Sequence, residues 1–312
     1  MERSFVSRLL ARLPADPRLE VPPGDDAAVL RPPAGRRTVV TVDMLMEGTD
    51  FLLGPECTAR EVGHKALAVN LSDLAAMAAR PEAALVSVAL PRHGGDTIGA
   101  GLLDGFLPLA AAHGVVLAGG DTNAWDGPLV ISITAIGSVL PGRAWRRDGA
   151  RVGDLLVVSG ACGGSLLGRH LAVAPRCREA LALADRFEVH AAIDVSDGLT
   201  LDLARMMEAS GTAAVVDLAA VPIHADAVRM AAEPGDGLSP LDHALGDGED
   251  FELLLALPAA EAHRLVAEGV GLTGTPFTLI GAVVAGSGLT GRMADGTISS
   301  LIPRGYEHAF DG

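Results

Sequence analysis

The sequence predicts an α/β or α+β protein in two domains, and three observations lead there. Short β-branched runs alternate with longer Ala- and Leu-rich segments along the first half. The chain has 312 residues, 49% hydrophobic and 20% charged, which suits two globular cores of ordinary size. A loop-like stretch at 141–153 carries the only cluster of positive charge and breaks the alternation. It sets the boundary between a domain of residues 1–145 and one of residues 146–312.

The elements follow in order. Thr and Val at 38–42 predict a strand, and 58–79 predicts a helix in which Val62, Ala66, Val69 and Met77 recur at helical spacing. The segments 84–90, 115–118 and 129–140 read as strands, and 98–112 as a helix. After the boundary, 154–159 reads as a strand and 160–164 as a Gly-rich turn leading into a short helix at 165–170. The run 191–193 is a strand with helices before and after it, and 213–218, 251–257 and 277–284 complete the strands. There is no internal repeat.

Composition excludes several function classes. With 24 basic against 39 acidic residues the net charge is −15, so binding of a nucleic-acid backbone by bulk electrostatics is ruled out. Aromatic residues are only 3%, too few for base-stacking platforms. Lys65 is the single lysine. Cys57, Cys162 and Cys177 are odd in number and widely spaced, which fits neither a disulfide framework nor a zinc site and predicts a reducing compartment. The first 18 residues lack the apolar core of a signal peptide, and no run reaches membrane-spanning length. The expectation is a cytoplasmic protein with no nucleic-acid or membrane partner.

The aspartates carry the chemistry. Apolar runs lead into Asp43, Asp121 and Asp194, Asp197 follows shortly after, and Asp26 sits in an early Gly-Asp-Asp loop. In α/β folds ligands bind beyond the carboxyl ends of strands, so strand-terminal acids are placed to converge. Singly each is an ordinary turn former, and Asp197 could cap the helix after it. Asp73 differs: it lies four residues from both Val69 and Met77, on the apolar stripe of its helix, among weak helix formers Asn70 and Ser72. Several carboxylates in one place need a cation, and an all-oxygen set selects Mg²⁺. The most economical occupant is a Mg-nucleotide. No Walker loop or protein-kinase signature is present, so phosphate must be held otherwise. Gly119 and Gly120, the turn at 160–164, and Arg147 in the basic connector are the candidates.

Taken together, Gly24-Asp25-Asp26, Thr41-Val42-Asp43, Asn70-Leu71-Ser72-Asp73-Leu74-Ala75-Ala76-Met77, Gly119-Gly120-Asp121-Thr122, Asp194-Val195-Ser196-Asp197-Gly198 and Gly248-Glu249-Asp250-Phe251-Glu252-Leu253 resemble the thiamine-monophosphate kinase family. A weaker echo follows at Gly305-Tyr306-Glu307-His308. The resemblance implies a two-domain aminoimidazole ribonucleotide synthetase-like fold. Its N-terminal metal- and ATP-binding domain pairs across a homodimer, its C-terminal domain is α/β, and the ATP site lies between the domains. It implies phosphorylation of thiamine phosphate to thiamine diphosphate by direct in-line transfer from ATP, with several Mg²⁺ ions. Asp26, Asp43, Asp73, Asp121, Asp194 and Asp197 would hold metal, and Gly119, Gly120, Arg147 and Ser196 would contact ATP. Glu249, Tyr306 and the residue at Asp50 would contact substrate. A phosphate nucleophile is already ionised, so no side chain is needed as a catalytic base. The chain departs from the family pattern at Val42, usually a hydroxyl residue, and at Asp50, usually His. The alternatives are another ATP-using member of the superfamily, or a weakened Mg-ATP-binding regulator.

Overall fold

The computed structural model describes residues 9–24 and 26–308. The chain forms two compact units, one of Met1–Leu74, Ala79–Arg143 and Leu171–Cys177, the other of Ala75–Ala78, Ala144–His170 and Arg178–Gly312.

In the first unit, β1 (Leu19–Val21) and β2 (Val29–Leu30) form a small antiparallel ribbon. β3 (Arg37–Met46), α1 (Ala59–Ala76), β4 (Arg80–Pro91), α2 (Gly95–His113), β5 (Val116–Trp125) and β6 (Val130–Val139) follow. The sheet order is β3-β6-β4-β5. β6 pairs antiparallel with both β3 and β4, and β4 pairs parallel with β5 across the α2 connection. β3 is an edge strand with strict alternation: Val39, Thr41, Asp43 and Leu45 turn inward, while Val40, Val42, Met44 and Met46 are exposed.

Two strands are longer than their apolar runs. β3 continues to Met46 because all ten residues find partners on β6, from Arg37 opposite Val139 to Met46 opposite Val130. β5 continues through Gly119, Gly120 and Asp121 to Trp125, paired with β4 as far as Pro91. Asp43 and Asp121 therefore lie inside strands, not at their ends. α1 in turn stops at Ala76; Met77 lies beyond it and is exposed, so the helical stripe around Asp73 ends earlier than its spacing implied.

The second unit comprises β7 (Leu155–Ser159), α3 (Cys177–Ala184), β8 (Ala191–Asp194), α4 (Leu199–Ser210), β9 (Ala213–Asp217), α5 (Ala225–Ala231), α6 (Pro240–Gly246), β10 (Leu253–Leu257), α7 (Ala259–Thr273), β11 (Phe277–Val284), β12 (Gly288–Arg292) and β13 (Ile298–Ser300). Seven strands are ordered β13-β12-β9-β11-β7-β10-β8, and only the β12/β9 pair is parallel. β10 lies between β7 and β8 and all five of its residues are buried, as its unbroken apolar run requires. Leu156, Val158, Ile193, Leu203, Met206 and Ile280 join it in one core. The expected helix at 165–170 resolves into single 3₁₀ turns, because Gly168 adopts φ +119° between them.

α1 and α2 touch through backbone. A Cβ on Gly105 would lie 1.8 Å from the Arg60 carbonyl oxygen, and one on Gly63 would lie 2.0 Å from that of Leu102. Alanine is the better helix former, yet Gly105→Ala is expected to lower stability by roughly 1–3 kcal/mol through overpacking. A urea midpoint at or above that of the parent would contradict this crossing.

Candidate functional site

In the first unit the inward face of β3 meets the polar turn of α1. The Thr41 hydroxyl donates to Asp73 Oδ2, and the Asp43 amide donates to Asn70 Oδ1 at 3.2 Å. Asn70 is fully buried and its Nδ2 donates to the Ala66 carbonyl at 3.0 Å. The weak helix formers of α1 are thus the residues that clamp β3, which explains their place in a buried helix. Asp43 and Asp73 are brought together by this clamp.

Asp121 stands elsewhere. It pairs with Ser87, which pairs with Ser132, which pairs with Met44. Residues in one such row share a face, so Asp121 belongs with the exposed row of Met44 and not with Asp43. Gly120 aligns with Val86, and a Cβ there would lie 1.9 Å from the Val86 carbonyl oxygen, so close strand approach alone requires glycine. Gly119 precedes it at φ +154°. Asp26 is exposed in a bend. Asp50 closes its own turn: its Oδ2 accepts from the Met46 amide at 2.7 Å, and its carbonyl accepts from Lys65 Nζ at 3.0 Å.

In the second unit the proposed residues gather where β8 ends and β10 begins. Asp194 is buried at the end of β8, opposite Leu253. The Glu249 amide donates to the Ser196 carbonyl at 2.6 Å, and the Tyr306 amide donates to the Asp197 carbonyl at 2.9 Å. Ser196, Asp197, Glu249 and Tyr306 are therefore neighbours by backbone contact. Arg147 is exposed in a one-turn 3₁₀ helix whose carbonyl accepts from Ser210 Oγ at 2.8 Å. Its backbone stands at the far end of α4 from Ser196 and Asp197, ~18 Å along a twelve-residue helix.

Sequence reasoning missed two residues here. Asp202, 1% exposed, accepts at Oδ2 from the amides of Ser196, Asp197 and Gly198 at 3.0, 2.9 and 3.1 Å. Asp197 does not cap the helix, whose N-cap is Gly198; Asp202 instead holds the turn that enters it, and burial pushes its pKa up against those donors. An acid in the first turn of a helix was the available signal. Arg205 is the second: it donates to both Asp197 and Asp202 and supplies the local countercharge.

The Gly-rich turn, weighed against a plain turn as a phosphate holder, is the plain turn. The Gly163 amide donates to both Asp250 carboxylate oxygens at 3.0 and 2.9 Å, and the Gly164 amide donates to Asp247 Oδ2 at 2.7 Å. These amides hold the chain's own acids and are not a phosphate cradle. Burial pushes Asp250 up to about 7, with Arg169 pulling against it, and burial beside Asp250 and Glu252 pushes the Cys162 thiol well up. Three histidines have plain structural roles: His64 meets the Val173 carbonyl, His170 that of Ser165, and His190 the Asp154 carboxylate. Among the described residues no group of three or more His, Cys, Asp or Glu stands ready to hold a metal ion, and no helix is long and apolar enough to cross a membrane.

Comparison with known proteins matches residues 24–139 to the AIR synthase related protein N-terminal domain and residues 148–294 to its C-terminal domain. The chain is 42% identical to the thiamine-monophosphate kinase of Rhodopirellula baltica, over 99% of this chain and 97% of that one. Among solved structures, the thiamine-monophosphate kinase of Stenotrophomonas maltophilia K279a is 36% identical with a TM-score of 0.79, covering 94% of this chain and 95% of the other. AaThiL complexed with AMPPCP and TMP is 25% identical with a TM-score of 0.76, covering 99% and 96%.

The same end of the second unit holds a charged relay with a pH signature. His243, 1% exposed, has Nδ1 at 2.9 Å from Asp247 Oδ1 and Nε2 at 2.9 Å from Asp236 Oδ2. Burial pulls its pKa down, but the two carboxylates more than offset this and raise it above the ordinary 6.5. A raised folded-state value means that the folded protein binds more proton than the unfolded one. The stabilisation is complete below pH 6.5 and is lost as pH rises through the folded-state value. Thermal melts are expected to show this decline in the parent and a flatter profile in His243→Gln; equal slopes would remove His243 as its source.

Proposed function

The chain belongs to the thiamine-monophosphate kinase family of the AIR synthase related proteins, and on that premise we propose that it phosphorylates thiamine phosphate with ATP. A phosphate oxygen of thiamine phosphate attacks the γ-phosphorus, the bond to the β–γ bridging oxygen breaks, and ADP leaves. The observation that carries this reading is the end-to-end match to curated kinases, joined by the likeness to a complex with the ATP analogue AMPPCP and TMP.

Attacker and donor are both anions, and a chain of net charge −15 repels both. Carboxylate oxygen suits Mg²⁺, and the residues proposed to hold such ions are Asp43 and Asp73 on one face of the first unit's sheet, Asp121 on its other face, Asp26 in the early bend, and Asp194 and Asp197 in the second unit. Bound Mg²⁺ supplies the neutralising charge for the phosphates. The chain's own part is positioning. The Asn70 clamp fixes Asp43 beside Asp73, and Asp202 fixes the loop that carries Ser196 and Asp197. Ser196 is the proposed ATP contact at the end of β8; Gly119, Gly120 and Arg147 are assigned to ATP on the family resemblance alone, since strand approach already explains Gly120 and the Arg147 backbone stands at the far end of α4. Glu249 is suited to the cationic thiazolium and aminopyrimidine of the substrate, and Tyr306 lies beside it through Asp197. Asp50 is assigned to the substrate side, with its carboxylate also closing its own turn on the Met46 amide. Cys57, Cys162 and Cys177 are buried and none is in a disulfide, which supports the proposal of a cytoplasmic setting.

With Mg²⁺ present, the protein is expected to convert ATP and thiamine phosphate to equal amounts of ADP and thiamine diphosphate, and chelation is expected to stop the reaction. ADP release with thiamine phosphate unchanged would defeat this reading and favour a Mg-ATP-binding regulator.

The homodimer is part of the same proposal. β3 is an edge strand with Val40 62%, Val42 61%, Met44 57% and Met46 42% exposed in one row, an apolar surface that a second copy can cover. Sedimentation equilibrium is expected to give a dimer for the parent and a folded monomer for Val40→Asp; a Val40→Asp dimer of parental affinity would move the interface elsewhere.

A further inference from the structure

Two loops of the second unit are joined edge to edge. The Glu249 amide donates to the Ser196 carbonyl at 2.6 Å, the Phe251 amide to that of Val195 at 2.8 Å, and the Val195 amide to that of Glu252 at 2.8 Å. Both donors on the 249–251 side are left-handed, Glu249 at φ +54° and Phe251 at φ +52°, and Gly248 precedes them at φ +75°. Side chains rarely adopt this conformation, and it persists only where the surroundings impose it.

Asp250 stands between the two strained residues with its side chain 1% exposed. Its carboxylate accepts twice from the Gly163 amide and, at 2.9 Å, from Arg169 Nη2. Arg169 Nη2 also donates to the Gly163 carbonyl at 2.9 Å, which closes a three-residue clasp. Gly163 has no room for a side chain, since a Cβ would lie 2.6 Å from the Ala244 nitrogen. The next two residues hold the same loop: Gly164 through Asp247, and Ser165 Oγ through the Gly248 carbonyl at 2.7 Å. The turn at 163–165 thus grips residues 247–250 at three points.

We propose that Asp250, clasped by Arg169 and Gly163, is a positioning residue that holds Glu249 in the left-handed conformation from which it meets the thiamine part of the substrate. This rests on the assignment of Glu249 to that contact. A merely structural Asp250 would change stability, or all kinetic constants together. A positioning Asp250 acts on one substrate, because the loop it anchors carries Glu249, while the joined loop of Ser196 and Asp197 keeps its own anchor in Asp202.

The test measures KM for thiamine phosphate, KM for ATP and kcat on folded variants. Asp250→Ala is expected to raise KM for thiamine phosphate about tenfold and to leave KM for ATP within about twofold, the scale of one lost charge-assisted contact. Asp250→Asn keeps an oxygen for the Gly163 amide and is expected to recover most of the loss, to about threefold; it carries the test if the alanine variant does not fold. A parallel rise in both KM values, a fall in kcat alone, or no change would overturn the proposal. Glu249→Gln separates the two layers: if it leaves KM for thiamine phosphate at the parental value, the assignment of Glu249 fails. If it raises that KM while the Asp250 variants do not, only the positioning role fails.

Discussion

A carboxylate taken out of water must be met by donors, and in the second unit the chain meets this demand with its own backbone amides. Asp202 takes three in succession, Asp250 takes that of Gly163, and Asp247 takes that of Gly164. Glu252, also buried, accepts from Ser159 Oγ at 2.5 Å, and that hydroxyl in turn accepts from the Leu253 amide at 2.8 Å. Each bond fixes a loop that its own sequence would leave free. Gly163 is required by crowding of another kind, since a Cβ there would lie 2.6 Å from the Ala244 nitrogen.

The first unit solves a related problem with side chains. β3 must present Asp43 on a face covered by α1, and an apolar helix there would leave the strand's polar groups without partners. Asn70 and Asp73, poor choices for a helix interior, supply an acceptor for the Asp43 amide and one for the Thr41 hydroxyl. Local helix propensity gives way to a tertiary requirement. Alternation along β3 then leaves Val42 on the opposite, exposed face. The missing hydroxyl at this position therefore removes nothing from the Asn70 clamp.

Much of the fold was legible in the chain. The strand at 277–284 ended where its apolar run ended, and Val115, one residue too early, was a small error for β5. Alternation cannot give the length of a strand, which depends on the partner. β5 runs on through two glycines because β4 offers pairing as far as Pro91. The acids Asp194 and Asp197, and their neighbours Ser196 and Glu249, were legible as a group, and their backbones do meet. Asp202 had only its place in a first helical turn to mark it, and Asp250 had nothing local, because the amide it binds lies 87 positions away.

The sequence by itself determined two domains, the periods of their elements, an excess of acid, and the motif blocks that carry the family resemblance. Only the tertiary structure decided which amides each buried carboxylate would take. Asp250 and Gly163 are 87 positions apart, and the bond between them exists because β7 and β8 both pair with β10 and bring the loops at their ends together. Sheet order is a long-range choice. The turn at 160–164, one candidate for holding phosphate, is filled by the chain's own acids for that reason.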